Sequence, residues 1–389
     1  MGELVCLQIH NDYQIPGGET KTAQLIGDLL EKNGVRVIRY YRSNTEYAEA
    51  GIVTKITSGL RSLYNPSTVT DINHILDHNK VDFALVHNVV SVISNSAYKT
   101  LIKRNVPIIK YLQNYNLVCL NGALDCGVKC NKCQSNGMVG VKNGCYKGSR
   151  IYSFIKLLIK MDMDKNVVPH IKAFMPNSAF VMNEHIRRGI PKDRMYVMYN
   201  YVNIPRVNKS DEENRYYLYF GRLSNEKGVM TLLKAFSENR KIPLTIMGEG
   251  PLEESIIQLI NNNELDNVSF IGSKKGEELL KVVAGAKAVV VPSEWNEPLP
   301  RTILEAYSQG IPVIGSNLGG IPEMIDQGET GYIFDAGDAD SLYDAVSKIE
   351  SLDQSTYELM RKKCLKRLKD KYTEQAYFQR FIKCVEEIK

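Results

Sequence analysis

The feature of this sequence that most limits its fold is the alternation of short apolar runs with longer segments of helical periodicity. Continuous apolar runs are typical of parallel strands that helices cover on both faces. The predicted strands occupy residues 4–9, 35–40, 83–86, 106–111, 173–176 and 195–199 in the first half, and 216–220, 244–247, 268–271, 288–291 and 312–315 in the second. Predicted helices occupy residues 20–32, 178–188, 227–238, 252–262, 276–286, 302–309 and 373–389. This order predicts an α/β protein built from parallel sheets.

The length of the chain indicates more than one domain. Its 389 residues exceed the size at which a single hydrophobic core stops growing, about 250–300 residues. The polar segment 200–214, which contains Pro205, is the best candidate for a boundary. We therefore expect domains at 1–205 and 206–370, and a final helix at 371–389 that packs back on the first domain.

The composition excludes several classes of protein. Hydrophobic residues make up 43% of the chain and charged residues 24%, which is typical of globular proteins. No apolar run approaches the ~20 residues that a membrane-spanning helix needs. The first residues lack the basic and apolar segments of a secretory signal. We therefore expect a cytoplasmic protein whose cysteines are reduced or bound to metal.

The net charge of +5 is distributed unevenly. Residues 1–205 contain 25 Lys and Arg against 15 Asp and Glu, a net +10, whereas the remaining residues contain 24 against 29, a net −5. A basic first half favours phosphorylated ligands or an anionic membrane surface. Nucleic acid is disfavoured as a partner, because no recognised binding module and no ladder of aromatic residues accompanies the basic residues.

Two loops contain groups that suit a phosphorylated ligand. Gly17 and Gly18 follow the first strand and precede a helix, where close backbone approach and unpaired N–H groups favour a phosphate. Arg222 and Lys227 follow the strand 216–220, and two fixed cations at a helix N-terminus suit a diphosphate. The alternative for the first loop is a plain turn, and for the second a solvated charged loop.

A third loop contains a pair of carboxylates. Glu297 follows the strand 288–291, and we expect Glu305 in the first turn of the next helix, with Pro300 suited to the start of that helix. Carboxylates accept hydrogen bonds from sugar hydroxyl groups. In this strand–loop–helix context, the pair predicts a carbohydrate site.

Together these motifs resemble those of the retaining glycosyltransferases of family 4, the group 1 glycosyltransferases, which have the GT-B fold. The resemblance rests on residues 221–228, 247–251, 297–305, 319–323 and 331–334, which follow the order and spacing of that family. Residues 86–88, 113–119 and 145–149 resemble bacterial polysaccharide-assembly members with a cysteine-containing insertion. The resemblance implies two doubly wound, Rossmann-like domains that face each other across a cleft.

The same resemblance implies a role for each matching residue. Arg222 and Lys227 would bind the donor diphosphate and stabilise it as it leaves, and Glu297 would hold hydroxyl groups of the donor sugar. The other implied donor-binding residues are Gly17, Gly18, Gly221, Gly248, Gly272, Leu299, Pro300, Arg301 and Glu305. A UDP-sugar is the expected donor, no metal is required for catalysis, and no protein nucleophile is assigned.

One position departs from the family pattern. Members usually have a histidine in the loop after the fourth strand, and Gln113 occupies that place here, followed by Asn114. Glutamine can bind a sugar hydroxyl but does not titrate near neutral pH. His87, which follows the preceding strand, is either an acceptor-side residue or a structural histidine.

The segment 114–148 contains five cysteines. Cys130 and Cys133 have the spacing of metal ligands, and Cys119 and Cys145 flank them. These four thiols predict a structural zinc site, and the alternative is a set of reduced structural cysteines. Cys126 has no assigned role.

Residues 149–165 combine apolar bulk with Arg150, Lys156 and Lys160. This pattern is typical either of a helix on an anionic membrane surface or of a helix packed in a core. The leading prediction is a cytoplasmic glycosyltransferase, peripheral on the inner face of the cell membrane, that modifies a lipid-linked saccharide in capsule, exopolysaccharide or cell-wall assembly. The alternatives are a non-catalytic nucleotide-sugar-binding subunit of a partner transferase and a GT-B nucleotide-sugar epimerase.

Overall fold

The computed structural model describes residues 3–12, 18–48, 61–124, 130, 133, 137–207 and 216–388. The chain forms two compact units, of which the first comprises Met1–Met198 and Phe378–Lys389 and the second comprises Tyr199–Tyr377. The sequence predicts the corresponding divisions at 205 and 370. The second division lies within the last helix, which spans Glu374–Ile388.

The first unit is built around a parallel sheet. Its strands are β1 (Leu4–Asp12), β2 (Val35–Ser43), β3 (Phe83–Val86), β4 (Ile108–Leu112) and β5 (Ala173–Pro176). They form a five-stranded sheet in the order β2-β1-β3-β4-β5. The helices are α1 (Gly18–Lys32), α2 (Thr45–Ala48), α3 (Pro66–His78), α4 (Ser96–Lys103), α5 (Met138–Lys142), α6 (Arg150–Asn166) and α7 (Ala179–Ile186), with 3₁₀ turns at Val168–His170 and Lys192–Arg194.

The strand predicted at 195–199 does not form. A single bridge joins Met195 to Phe174 of β5. The amides of Tyr196 and Met198 donate to the carbonyls of Phe174 and Pro176, at 2.9 and 2.7 Å. Pro176 has no N–H group with which to return the next hydrogen bond, so the ladder ends there.

The second unit is also a parallel α/β structure. Its strands are β6 (Tyr216–Arg222), β7 (Leu244–Glu249), β8 (Val268–Phe270), β9 (Ala286–Val291), β10 (Val313–Ser316) and β11 (Gly331–Phe334). They form a six-stranded sheet in the order β11-β10-β9-β6-β7-β8. The helices are α8 (Val229–Ser237), α9 (Glu253–Asn262), α10 (Gly276–Gly285), α11 (Arg301–Ser308), α12 (Ala339–Glu350) and α13 (Gln354–Lys371), with a 3₁₀ turn at Asn225–Lys227. The last helix, α14 (Glu374–Ile388), begins in this unit, and its residues from Phe378 onward belong to the first unit.

Local sequence signals explain where several helices begin. The side chains of Ser149 and Ser178 cap α6 and α7, and those of Asp338 and Asp353 cap α12 and α13. Such caps satisfy backbone N–H groups that have no partner within the helix.

Apolar clusters cover both faces of the second sheet, as expected for helices on its two sides. The α/β fold with parallel sheets is therefore confirmed. Within the described ranges, no helix combines the length and apolar character needed to cross a membrane.

Candidate active site

The predicted donor-binding residues follow the strands at the centre of the second sheet. β6 lies between β7 and β9, and its last residue is Arg222. Because all the strands are parallel, their carboxyl ends share one edge of the sheet, where ligands of open α/β sheets bind. Glu297 follows β9 and Gly319 follows β10, so their loops leave from the same edge.

Lys227 and Glu297 form the centre of this candidate site. Lys227 ends the 3₁₀ turn after β6, and its Nζ forms an ion pair with Glu297 Oε1. The Ser293 hydroxyl donates to the same oxygen at 3.0 Å. Glu297 is 7% exposed, and both hydrogen bonds that the described residues donate to its carboxylate end on Oε1. Oε2 is therefore available to accept a hydrogen bond from a ligand.

Two glycines allow the loops around this ion pair to pack closely. Gly228 has a φ of +69°, and a Cβ there would lie 1.8 Å from the Pro292 carbonyl oxygen. Gly319 has a φ of +63°, and a Cβ there would lie 2.2 Å from the Glu297 carbonyl oxygen. The Gly320 amide donates to that same oxygen at 2.7 Å. The glycine motif after β10 thus fixes the backbone that presents Glu297.

Three other glycines predicted to bind the donor meet at the same edge. Gly221 pairs with Gly248 in the register of β6 and β7. The Gly248 amide donates to the Gly272 carbonyl at 3.0 Å. Arg222 has an exposed side chain, and its carbonyl accepts the Tyr219 hydroxyl at 2.7 Å. The cation at this strand end is therefore exposed while its backbone is fixed.

The start of α11 contains the remaining predicted donor residues. Leu299 is buried, and Pro300 is the residue that precedes the first helical residue, Arg301. The half-buried Glu305 therefore lies in the second turn and not, as predicted, in the first, because the helix begins at Arg301, one residue before the predicted start.

Two N–H groups near Glu297 in the sequence are buried without a hydrogen-bond partner among the described residues. They are Trp295 Nε1 and Arg301 Nη1. The Lys227 ammonium lies 5.3 Å from the centre of the Trp295 ring. Buried donors usually have partners, so each of these N–H groups is available to a hydrogen-bond acceptor on a ligand. Sequence reasoning missed Ser293 and Trp295, although Trp295 is the chain's single tryptophan.

In the first unit, His87 is buried, and both its ring and its carbonyl contact neighbouring side chains. Its Nε2 lies 3.0 Å from Gln8 Nε2, and its carbonyl accepts the Lys110 ammonium. Burial, with the charges of His10 and Lys110, holds the pKa of His87 well below its ordinary value. The ring is therefore neutral at physiological pH.

The other predicted first-unit residues are close to β1 and β4. Gln113 follows β4, and its Nε2 is buried without a partner among the described residues. Asn114 donates to the two Glu19 carboxylate oxygens at 3.0 and 3.1 Å. Gly18 is the first residue of α1, and Gly17 lies outside the described residues.

Cys119, Cys130, Cys133 and Cys145, hereafter the four-cysteine cluster, line one cavity of about 310 Å³. Burial raises the pKa of Cys133, and the other three thiols add to the rise. Over the described ranges, no group of three or more His, Cys, Asp or Glu is placed to hold a metal ion. Cys126 lies outside these ranges. The four thiols are therefore neighbours, but their arrangement is not that of a formed metal site.

The helix α6 differs from its prediction at one basic residue. Its exposed apolar side chains are Ile151, Tyr152, Phe154, Leu158 and Met161. Lys156, which the sequence groups with the other basic residues of an interfacial helix, is only 4% exposed. It shares the inward face with Ser153 and Leu157, three residues before it and one after, so the helical turn buries it with them.

Comparison with known sequences finds similarity within the second unit. Residues 202–367 match the family model of the glycosyl transferases of group 1. The sulfoquinovosyl transferase SQD2 of Arabidopsis thaliana is 31% identical over 162 residues, or 40% of this chain and 30% of that protein. The N-acetyl-alpha-D-glucosaminyl L-malate synthase of Bacillus anthracis is 28% identical over 156 residues, which are 39% of this chain and 40% of that protein. The matches thus span less than half the length of these relatives.

Comparison with solved structures covers both units. Anabaena Alr3699/HepE in complex with UDP is 15% identical, with a TM-score of 0.69 over 99% of this chain and 100% of that one. A glycosyltransferase from Rickettsia africae is 15% identical, with a TM-score of 0.74 over 100% of this chain and 99% of that one. This similarity confirms the predicted GT-B fold, with two Rossmann-like domains. The chain thus has the GT-B fold, and its residues 202–367 match the family model of the group 1 glycosyl transferases.

Proposed function

We propose that this chain is a retaining glycosyltransferase that transfers a sugar from a UDP-sugar to the hydroxyl group of an acceptor. The observation that carries the proposal is the ion pair between Lys227 and the buried Glu297 at the carboxyl edge of the second sheet. It lies within the region that matches the group 1 glycosyl transferases. Similarity to a structure that holds UDP supports the choice of donor base.

The cations of the site suit the charge that develops during transfer. Cleavage of the bond between sugar and diphosphate places negative charge on the departing UDP, and preorganised donors stabilise such charge most effectively. Arg222 would contribute a planar guanidinium and Lys227 a compact ammonium. Because these groups can neutralise the leaving diphosphate, we propose that transfer requires no metal.

Glu297 and its neighbours would bind the sugar and the phosphates. Its Oε2 can accept a sugar hydroxyl, while Lys227 and Ser293 orient the carboxylate through Oε1. The buried N–H groups of Trp295 and Arg301 supply further donors. We assign no nucleophile to the protein: the donor phosphate would accept the proton of the acceptor as it attacks the same face.

One observation favours a second candidate, a non-catalytic subunit that binds a nucleotide sugar. Gln113 stands where the family has a histidine, and its buried Nε2 lacks a partner among the described residues. Such a subunit would bind UDP without turning over a UDP-sugar. The third candidate is a nucleotide-sugar epimerase. It would change the configuration of the donor sugar without releasing UDP or free sugar.

The acceptor that we propose is a lipid-linked saccharide of capsule, exopolysaccharide or cell-wall assembly, approached from the cytoplasmic side of the membrane. The exposed apolar side chains of α6 are flanked by Lys147 and Arg150, which complement an anionic lipid surface. Vesicles containing anionic phospholipid should therefore bind the protein, and Phe154→Ser should weaken that binding more than Leu359→Ser on the exposed part of α13. Equal loss in the two variants would contradict docking through α6.

For the four-cysteine cluster we propose a structural zinc, because four thiols line one cavity. Closure of the cluster around zinc would require the thiols to move, since the described residues do not form a ligand set. Metal analysis of the purified protein should find about one equivalent of zinc. If the protein is produced in medium that contains zinc and the purified protein still holds no zinc, the proposal is refuted.

Proton NMR of a UDP-sugar incubated with the protein and a chelator tests the transferase proposal. We expect slow release of UDP together with a free sugar whose first-formed anomer has the configuration of the donor. Binding without release would support the subunit, and a changed sugar still attached to UDP would support the epimerase. An inverted first anomer would refute retention.

A further inference from the structure

The first unit contains a pocket that none of the roles above explains. It lies between β4, α4 and α6, has a volume of about 550 Å³ and is partly open to solvent. Its polar lining includes Asn88, Tyr98, Lys110, Asn114, Lys156 and Lys160. No Asp or Glu of the described chain lines it, so its charged groups are all cationic.

Two of these cations form no direct ion pair with the residues that the structure describes. Among the described residues, neither Lys110 nor Lys156 forms an ion pair, and the Lys156 ammonium lies 5.4 Å from the centre of the Tyr146 ring. The nearby carboxylates bind other groups: Glu19 accepts Asn114 at 3.0 and 3.1 Å, and Asp162 pairs with Lys99 at 2.7 Å.

Burial in this pocket lowers the pKa of both lysines. Burial lowers the pKa of Lys110 to about 8, partly offset by the charge of Glu19. Burial also lowers the pKa of Lys156 to about 8; the nearby thiol of Cys119 partly offsets this effect, and the charge of Lys110 adds to it. Both ammonium groups are therefore mostly charged at neutral pH, although each charge is destabilised by removal from water.

The hydroxyl of Tyr98 provides a third donor. Its side chain is fully buried in the wall of the pocket, and its oxygen has no hydrogen-bond partner in the part of the chain that the structure describes. Two lysines without an ion-pair partner among the described residues, of which Lys110 donates to the His87 carbonyl, share this pocket with an unused hydroxyl, and an oxyanion would complete such an environment.

We infer that this pocket binds a phosphate group of the acceptor, with Lys110, Lys156 and Tyr98 as its ligands. The inference rests on the proposed function, because it assigns the pocket to the acceptor of that reaction. A diphosphate that joins a lipid to a saccharide carries a negative charge on each phosphate, so two ammonium groups match it better than they would match a single carboxylate. The same helix that supplies Lys156 exposes apolar side chains on its other face, which suits an acceptor whose phosphate is attached to a lipid.

Titration calorimetry with inorganic phosphate tests the inference. The protein is first saturated with UDP, so that the diphosphate site is occupied, and the ionic strength is held constant with potassium chloride. The wild-type protein should bind one phosphate, and Lys156→Met should lower the affinity by about tenfold or more, as expected for a lost charge-assisted hydrogen bond. Lys165→Met, which removes an exposed lysine at the end of α6, should bind phosphate as the wild type does.

Thermal unfolding separates binding from folding. Lys156→Met replaces an unpaired buried charge with an apolar side chain of similar length and should not lower the melting temperature. Tyr98→Phe removes only the hydroxyl and should weaken phosphate binding without loss of stability. Unchanged phosphate affinity in both variants, or equal loss in Lys165→Met, would overturn the inference.

Two further titrations assign the source of the anion and keep the two proposals distinguishable. Farnesyl phosphate should bind the UDP-saturated protein at least as tightly as inorganic phosphate, whereas tighter binding of glucuronate would overturn the assignment to phosphate. UDP affinity should be the same in the wild type and Lys156→Met. Failure of UDP to bind the wild type would refute the proposed function, whereas loss of phosphate binding alone would refute only this inference.

Discussion

Replacement of Glu297 by glutamine should separate binding of the nucleotide from transfer of the sugar. Glutamine has nearly the same size and can still accept the Ser293 hydroxyl through its carbonyl oxygen, but it has no charge to pair with Lys227. We therefore expect Glu297→Gln to fold, to bind UDP at least as tightly as the wild type, and to lose activity. UDP affinity is retained because Lys227, released from its ion pair, remains free to bind the diphosphate.

The contacts of the ion pair set the size of the effect on stability. A hydrogen bond to a charged group contributes about 1.5–3 kcal/mol, and partial solvent screening reduces it, since the Lys227 side chain is 25% exposed. We expect a loss of about 1–2 kcal/mol in the free energy of unfolding. In a domain of this size that corresponds to a decrease of about 2–8 °C in the melting temperature.

The loss of activity should be much larger than the loss of stability. Removal of one preorganised hydrogen bond from a transition state typically costs about 10²–10³ in rate. Release of UDP from a UDP-sugar, followed at saturating donor, measures this rate, and calorimetry measures UDP affinity. Glu294→Gln is a matched control, because Glu294 lies in the same loop, is exposed and accepts Thr231 instead of Lys227. A rate within threefold of the wild type, or parallel losses of rate and UDP affinity, would refute the role of Glu297.

Three other predictions test the remaining parts of the account. Arg222→Ala should weaken UDP binding by about tenfold or more, measured by calorimetry, and unchanged affinity would remove Arg222 from the diphosphate site. Gly319→Ala should lower both the melting temperature and the transfer rate. Gly328 has a similar φ of +75°, but a Cβ there would have no neighbouring atom within 4 Å, so Gly328→Ala should lower only the melting temperature. Equal activity in the two variants would mean that Gly319 does not position Glu297. Folding lowers the pKa of Lys156 from an ordinary 10.5 to about 8. Between pH 8 and pH 10.5 the unfolded chain therefore binds more protons than the folded chain, so this residue makes the free energy of unfolding rise with pH over that range. Urea unfolding from pH 8 to 10 should show a smaller rise in Lys156→Met, and identical slopes would contradict the buried, partly deprotonated lysine.

Much of the fold follows from patterns that are local in the sequence. The continuous apolar runs predict β3 and β5 with the bounds that the structure shows, because buried parallel strands need apolar side chains on both faces. The absent strand at 195–199 depends instead on its neighbour, since Pro176 in β5 ends the hydrogen-bond ladder. The apolar pattern does not predict β11, because two of its four residues are only half-buried at the edge of the sheet.

The candidate site shows a similar division. The loops of Lys227 and Glu297 are recognisable from their motifs, but the contact of Gly319 with the Glu297 backbone joins residues distant in sequence and emerges only from the fold. Lys156 is the clearest case. Its place between two apolar residues of an amphipathic helix is compatible with either face, and only the packing of α6 shows that its ammonium faces a pocket.

The most direct test of the central claim is a UDP titration of the wild-type protein in the presence of a chelator, with ADP and GDP as comparisons. If Arg222, Lys227 and the loop of Glu297 form a metal-independent site for the diphosphate of a UDP-sugar, UDP should bind saturably and raise the melting temperature as its concentration increases. ADP and GDP should bind more weakly. Absence of UDP binding, or binding that disappears when the chelator is added, would contradict the account.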